Sequence, residues 1–194
     1  SIGGIGVKAK PMEDFGHNLD EFLKQISEKT KLIFIANPNN PTGNLIEKSK
    51  ISAFLSEVPK HILVVLDEAY DEYLRDEDKS IAFKWLAEYK NLLVSRSFSK
   101  AHGLAGLRIG YGVGSKEVIN LMNRVRQPFN VNSIAQTAAI ASLDDDDFII
   151  KSRLINDQGR LQLEEVFNEL KIEYIPSYGN FISFNLGDET KAMM

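Results

Sequence analysis

The chain has 194 residues and a net charge of −4, with 43% hydrophobic and 26% charged residues, which is the composition of an ordinary globular protein large enough to bury a core. It contains no block of basic residues, which argues against nucleic acid or an anionic membrane as a partner. It also contains no cysteine, which excludes disulfides and thiolate chemistry, and no apolar run of the roughly 20 residues that a membrane-spanning helix needs.

Strands and helices alternate in the first half of the predicted structure. Asn18 and Glu21 have the spacing of a capping box, and the apolar stripe behind them predicts a packing helix. Continuous runs rich in Val, Ile and Leu predict buried strands at 31–36 and 62–67, on either side of a helix at 46–57. A strand–helix–strand unit of this kind forms a right-handed parallel crossover, so we predict an α/β fold with a mostly parallel sheet.

Three more helices are predicted in the second half. They span 116–126, a region from Asn132 or Ser133 to 143, and 147–170, which we expect Gly159 to interrupt. Short strands are expected near 172–175 and 181–186. Three apolar residues of the first of these helices are expected to face inward: Val118, Met122 and Val125.

Polar residues follow three of the predicted strands. The first strand leads into the loop NPNNPTG at 37–43, the second ends at Asp67 with Tyr70 three residues later, and the apolar run at 92–94 leads towards Lys100. Ligands of open α/β sheets bind at the carboxyl ends of the strands. We therefore expect the three strands to bring Asn40, Asp67 with Tyr70, and Lys100 to one edge of the sheet.

The segment from Ser97 to Arg108 has the residues for a specific chemistry. Ser97 and Ser99 lie close to Lys100 in sequence, and Arg108 follows eight residues after the lysine. A lysine amine forms a Schiff base with an aldehyde, while hydroxyls and an arginine bind phosphate, so the segment suits a phosphorylated aldehyde. A surface turn with a solvated lysine is the alternative interpretation.

The ordered set NPNNPTG, DEAY and SFSKAHGLAGLR resembles the class I and II aminotransferases, which have the fold-type I pyridoxal-phosphate architecture. Within them, RQPFNVNS at 126–133 and PSYGNFISF at 176–184 look like histidinol-phosphate aminotransferases. The resemblance covers essentially the whole chain and implies a three-layer α/β large domain. It also implies pyridoxal 5'-phosphate as cofactor, small-molecule substrates, and a cytoplasmic homodimer without nucleic-acid or membrane partners. No metal site is expected.

The resemblance assigns roles to individual residues. Lys100 holds the cofactor and moves the proton, and Asp67 stabilises the intermediate through the pyridine ring. Asn40 and Tyr70 bind the ring oxygen, and Tyr70 is counted with Lys100 and Asp67 as catalytic. Three residues are expected to hold the cofactor phosphate: Ser97, Ser99 and Arg108.

Several of these residues could instead have a purely structural role. Asp67 at the end of an apolar strand needs a partner if it is buried, but it could instead cap a helix. Tyr70 could be a packed aromatic, and Asn40 an ordinary turn residue before a proline whose peptide bond we expect to be cis. Glu68 and Asp71 look like ordinary polar neighbours. His102 is expected to line a wall of the site or to lie directly behind the residues that do.

Two domains are expected by resemblance. Residues 1–147 would form the N-terminally incomplete cofactor-binding large domain, and 148–194 the start of an incomplete, smaller α+β C-terminal domain. The Gly-rich phosphate loop and the ring-stacking aromatic are expected upstream of Ser1, and the arginine that binds the substrate carboxylate downstream of Met194. We therefore expect the chain to be an internal fragment that is inactive in isolation.

The expected reaction is transamination between L-histidinol phosphate and 2-oxoglutarate, which gives imidazole acetol phosphate and L-glutamate in histidine biosynthesis. Alternatives of the same fold are an aromatic-acid aminotransferase and a phosphothreonine decarboxylase. The aminotransferase-like sensor domain of a transcription regulator is an alternative from another class. A nucleotide-binding Rossmann module is disfavoured because its glycine fingerprint is missing.

Overall fold

The computed structural model describes residues 3–187, and its main sheet has four strands. These strands are β1 (Leu32–Ala36), β2 (Leu63–Asp67), β3 (Leu92–Ser97) and β4 (Gly110–Gly114). They lie in the order β1-β2-β3-β4, with β1, β2 and β3 parallel and β4 antiparallel to β3. The predicted α/β fold with a mostly parallel sheet is therefore confirmed.

The main core lies between this sheet and the first three helices, α1 (Leu19–Lys24), α2 (Lys48–Glu57) and α3 (Ala82–Glu88). Strand residues alternate between the two faces, so Ile35 is buried in this core while its neighbour Phe34 is 65% exposed on the other face. Phe54 of α2 and Trp85 of α3 fill the space above the strands and are almost fully buried. Burial of these large side chains fixes the sheet that supports the strand ends.

The second half of the chain is mainly helical. It contains α4 (Lys116–Val125), α5 (Ser133–Leu143) and α6 (Asp146–Glu169), followed by β5 (Tyr174–Ile175), which pairs antiparallel with β6 (Ser183–Phe184). Helix α6 packs against a single 3-10 turn, Asp71–Tyr73, that follows β2. The proposed domain boundary at 147/148 falls in the first turn of α6 and stays a prediction.

Side-chain caps begin four of the helices. Asn18, Ser115 and Asn132 each accept a hydrogen bond from the backbone N–H three residues later, at 3.2, 3.4 and 2.8 Å. The acidic run before α6 supplies a fourth cap, because the Asp145 carboxylate accepts the Phe148 N–H at 3.1 Å. These caps satisfy N–H groups that have no partner within the helix.

Two expectations about the helices were wrong. Helix α6 runs through Gly159 without interruption, because a single glycine lowers helix propensity by only about 1 kcal/mol. In α4, Val118 lies beside Gly114 of β4, but Met122 and Val125 are 42% and 83% exposed. Helical spacing predicts that an apolar stripe exists and does not say what covers it.

No helix within residues 3–187 is long and apolar enough to cross a membrane.

Candidate active site

The carboxyl ends of β1, β2 and β3 meet at one edge of the sheet. The strand register pairs Ala36 with Asp67 and Asp67 with Ser95. The ladder continues past the strand ends, because Asn37 N–H donates to the Asp67 carbonyl at 2.8 Å. The three polar segments predicted to converge therefore leave the sheet side by side.

The loop at 37–43 is held by its own amide side chains. Asn37 is buried, and its side chain donates to the Ile46 carbonyl at 3.1 Å and accepts from the Ile46 N–H at 2.7 Å. Asn39 Nδ2 donates to Thr42 Oγ1 at 2.7 Å. The peptide bonds before both prolines of the loop are cis, as predicted for the second. The loop thus presents Asn40 in a fixed position at the sheet edge.

A segment near the end of the chain packs on this loop. Gly43 has a φ of 82°, and a Cβ built on it would lie 2.3 Å from Ser177 Oγ, so the position requires glycine. Tyr178 N–H donates to the Gly43 carbonyl at 2.9 Å, and the Ser183 hydroxyl donates to the Pro41 carbonyl. The loop is therefore fixed from two sides.

Asn40, Tyr70 and Lys100 form one contact group. Asn40 Nδ2 donates to the Tyr70 hydroxyl at 2.9 Å, and Lys100 Nζ lies 5.2 Å from the centroid of the Tyr70 ring. The Tyr70 ring is buried and meets Phe181 edge-on, with ring centroids 5.4 Å apart. Tyr70 is thus a packed aromatic, as its structural interpretation held, but Asn40 bonds to its hydroxyl and Lys100 lies over its ring.

A second group contains the predicted phosphate ligands. Ser99 N–H donates to Ser97 Oγ at 3.0 Å, and Arg108 Nη1 donates to Ser99 Oγ at 3.3 Å. A further bond from Arg108 Nη1 to the Ala105 carbonyl at 2.8 Å orients the guanidinium. Two hydroxyls and a guanidinium in contact form a donor set that suits a phosphate.

Asp67 differs from expectation in its burial. Its side chain is exposed, and Oδ1 accepts the Ala69 N–H at 3.1 Å. As the last residue of β2, Asp67 lies beyond the apolar core, so its carboxylate does not pay the cost of burial that the sequence suggested. An exposed carboxylate at the sheet edge is accessible to a ligand.

The sequence interpretation missed a buried ionic cluster beside these residues. Glu68 and Asp71, expected to be ordinary polar neighbours, are both 2% exposed. Arg96 Nη2 lies 2.8 Å from Glu68 Oε2 and 3.0 Å from Asp71 Oδ2, and Arg96 Nη1 lies 3.5 Å from Glu72 Oε1. An arginine in a strand that begins with three apolar residues was the available signal, because a buried charge requires a partner.

The pKa values in this cluster are shifted. Burial, and then the charge of Asp71, raise the pKa of Glu68, while Arg96 opposes both effects. Burial raises the pKa of Asp71, again against Arg96. Burial alone would lower the pKa of Arg96, but the charges of Asp71 and Glu68 outweigh it and raise that pKa. Arg96 therefore stays charged, and its charge opposes the effect of burial on both carboxyl groups.

His102 contacts Phe98 and Ser142, and its expected place in or behind a wall of the site stays a prediction. Its ring centroid lies 4.8 Å from that of Phe98, and Nδ1 lies within hydrogen-bond distance of Ser142 Oγ, at 2.7 Å. Burial lowers the pKa of His102, which favours the neutral ring. Among residues 3–187, no cluster of three or more His, Asp or Glu side chains could hold a metal ion.

Known proteins are similar to this chain in sequence and in fold. Residues 3–194 match the family model described as aminotransferase class I and II. The chain is 59% identical over 186 residues to a histidinol-phosphate aminotransferase of Methylobacillus flagellatus, covering 96% of this chain and 50% of that protein. It is 50% identical over 191 residues to histidinol-phosphate aminotransferase 2 of Ralstonia nicotianae, covering 98% and 51%. The chain thus spans about half the length of the curated relatives it matches.

The fold comparison agrees with the sequence comparison. The structure matches the crystal structure of histidinol-phosphate aminotransferase from Sinorhizobium meliloti in complex with pyridoxal-5'-phosphate with a TM-score of 0.88 and 30% identity. The match covers 95% of this chain and 50% of that one. Because the family model matches residues 3–194, which is nearly the whole of this chain, the chain belongs to the class I and II aminotransferases.

Proposed function

We propose that the complete protein is a pyridoxal-phosphate-dependent aminotransferase that converts L-histidinol phosphate and 2-oxoglutarate into imidazole acetol phosphate and L-glutamate in histidine biosynthesis. The observation that supports it is the contact of Lys100 with the Asn40–Tyr70 pair, at the same sheet edge as the hydroxyls and guanidinium of the second group. Similarity to histidinol-phosphate aminotransferases supports the choice of amino donor.

The polar side chains at this edge match the polar groups of pyridoxal phosphate one by one. Lys100 offers an amine to the aldehyde, and the exposed Asp67 carboxylate suits a protonated pyridine nitrogen. Asn40 and Tyr70 offer hydrogen-bond donors to the ring oxygen. Three residues offer donors to the phosphate: Ser97, Ser99 and Arg108. The residues present therefore fit this cofactor.

When bound, the cofactor supplies an electron-withdrawing ring that stabilises negative charge on the substrate carbon. Asp67 favours the protonated form of the pyridine nitrogen, which strengthens that withdrawal. Lys100 Nζ takes the proton from the substrate carbon and returns it, as a general base and acid. The hydroxyl of Tyr70, oriented by Asn40, holds the ring oxygen so that the ring keeps one orientation towards the lysine.

The lysine assignment is tested by Lys100→Ala in the complete protein. Loss of the amine should abolish both the visible absorbance of the bound cofactor and the formation of glutamate from histidinol phosphate and 2-oxoglutarate. Lys90→Ala, at an exposed lysine whose ammonium caps the Ala87 carbonyl, is the matched control. Near-normal turnover by Lys100→Ala would overturn the assignment. A panel of aromatic amino acids and phosphothreonine with the unmodified protein tests the substrate.

We also propose that the complete protein is a homodimer located in the cytoplasm. The connection between α4 and α5 is exposed, with Phe129 96% accessible, and its polar, proline-containing sequence suits a border between subunits. A role in amino-acid biosynthesis supports the location. Sedimentation of the complete protein should give the mass of a dimer. A fully active monomer would contradict the proposed assembly, and cell fractionation tests the location.

A further inference from the structure

The buried ionic cluster of Arg96, Glu68 and Asp71 is adjacent in sequence to the candidate active site. Glu68 follows Asp67, Asp71 follows Tyr70, and Arg96 precedes Ser97. Each charged residue of the cluster is therefore attached by one peptide bond to a residue that is proposed to bind the cofactor. None of the three faces the cofactor in the function proposed above.

The cluster lies on the opposite face of β3 from Ser97. Arg96 and Ser97 are consecutive residues of β3, so their side chains leave the strand from opposite faces. Glu68 and Asp71 reach the same side as Arg96, because both bond to its guanidinium. Arg96 thus joins the segment after β2 to the end of β3, on the face of the strand opposite Ser97.

The geometry of these bonds depends on the arginine fork. Arg96 Nε and Nη2 both donate to Glu68 Oε2, at 3.0 and 2.8 Å, while Nη2 also lies 3.0 Å from Asp71 Oδ2. The side chain of Arg96 is 19% exposed, and those of Glu68 and Asp71 are 1% and 3% exposed. A lysine has the charge but not the planar fork that holds two carboxylates at once.

We propose that Arg96 is a positioning residue of the active site, which fixes the segment of Asp67 and Tyr70 relative to the segment of Ser97 and Lys100. The inference rests on the proposed cofactor and deepens that function. In this proposal the ionic cluster sets the distance between the ring ligands and the lysine. That distance matters because small displacements of catalytic groups reduce rates strongly. Arg96 acts through these residues and does not itself touch the cofactor.

The test compares Arg96→Lys, Arg96→Met and Glu68→Gln in the complete protein with Arg75→Met, a control at an exposed arginine. The measurements are the dissociation constant for pyridoxal phosphate, the visible circular dichroism of the bound cofactor, kcat and KM, and thermal unfolding. We expect Arg96→Lys and Glu68→Gln to change the cofactor dichroism and to lower kcat about tenfold per cofactor-loaded subunit, with KM changed less than about twofold. Arg75→Met should match the unmodified protein.

A merely structural role for Arg96 predicts a different result. In that case Arg96→Lys and Glu68→Gln would unfold at lower temperature but keep the native cofactor dichroism and the native kcat per loaded subunit, and this result would overturn the inference. If Arg96→Met does not fold, the other two variants decide. The proposed function is tested separately, by measuring cofactor binding and turnover with the unmodified protein. The dichroism of the bound cofactor can be compared between variants whichever amino donor the protein uses.

Discussion

At the scale of single residues, the hydroxyl of Tyr70 is bonded to Asn40, the other residue proposed to bind the ring oxygen of the cofactor. Its oxygen accepts from Asn40 Nδ2 at 2.9 Å, so its own proton remains free for donation to a ligand. The ring is held independently by Phe181 and by the charge of Lys100. Removing the hydroxyl should therefore leave the ring in place.

Tyr70→Phe tests this separation of ring and hydroxyl. We expect binding of pyridoxal phosphate to weaken by about 0.5–1.5 kcal/mol, or roughly 2- to 10-fold, because one hydrogen bond is lost and Asn40 loses its partner. Titration of the apoprotein with cofactor, followed by absorbance, measures the change. Tyr89→Phe, at a partly buried tyrosine of the main core, should leave affinity unchanged. Equal affinities for all three proteins would remove Tyr70 from the cofactor site.

The sequence predicted the residues that gather at the sheet edge better than it predicted the buried charges. Lys100 and Tyr70 were predictable as neighbours because polar residues that follow parallel strands share a sheet edge. The burial of Glu68 and Asp71 was not predictable, because it depends on Arg96 in the neighbouring strand β3, which is 28 residues from Glu68 in sequence. Asp67 was misjudged for the opposite reason, since an apolar strand before it does not place its side chain inside the core.

At the scale of elements, α6 is the clearest difference from the pattern. The helix continues from Asp146 to Glu169 through a glycine, and nothing lies within 4 Å of the position that a Cβ at Gly159 would occupy. The glycine therefore serves no close packing within the described residues. Its cost to the helix is the backbone entropy lost on folding.

Gly159→Ala should accordingly stabilise the protein by about 0.5–1 kcal/mol. A urea titration should show a higher midpoint with an unchanged slope. Gly43→Ala is the opposite control, because its φ of 82° and the 2.3 Å approach of Ser177 Oγ leave no room for a methyl group. A lower midpoint for Gly159→Ala would mean that another part of the complete protein contacts this position.

Local sequence patterns predicted the strands correctly, but they did not predict which helix faces are buried. The strand predicted at 62–67 differs from β2 by one residue, because continuous Val and Leu runs have few alternatives. The inward face predicted for α4 failed because periodicity marks a stripe without identifying its neighbour. The same limit applies to the second domain, whose proposed boundary no local signal could fix.

At the scale of the molecule, several large apolar side chains are accessible. Phe34 is 65% exposed on β1, which is an edge strand of the sheet, and Val125 and Phe129 are 83% and 96% exposed. Accessible apolar surface combined with an open strand edge promotes association between chains.

The 194-residue chain on its own should therefore self-associate as its concentration rises. Light scattering and sedimentation velocity would detect this, and Phe34→Thr combined with Phe129→Ser should reduce it because both remove accessible apolar area. Lys60→Ser, at an exposed lysine, serves as the control. A monodisperse monomer at every concentration would show that these side chains are protected in solution.

The contact between Gly43 and Ser177 also limits which sequences this fold tolerates, and the limit is unequal at the two positions. Shortening residue 177 would still leave its Cα 2.8 Å from a Cβ at position 43, and it would not change the left-handed backbone of Gly43. No substitution at 177 therefore compensates for the loss of this glycine. Position 177 tolerates a small residue at a cost, because the buried Ser177 hydroxyl accepts the Gly179 N–H at 3.1 Å. A library randomised at both positions should return glycine at 43 in nearly all functional clones, with serine enriched over alanine and glycine at 177.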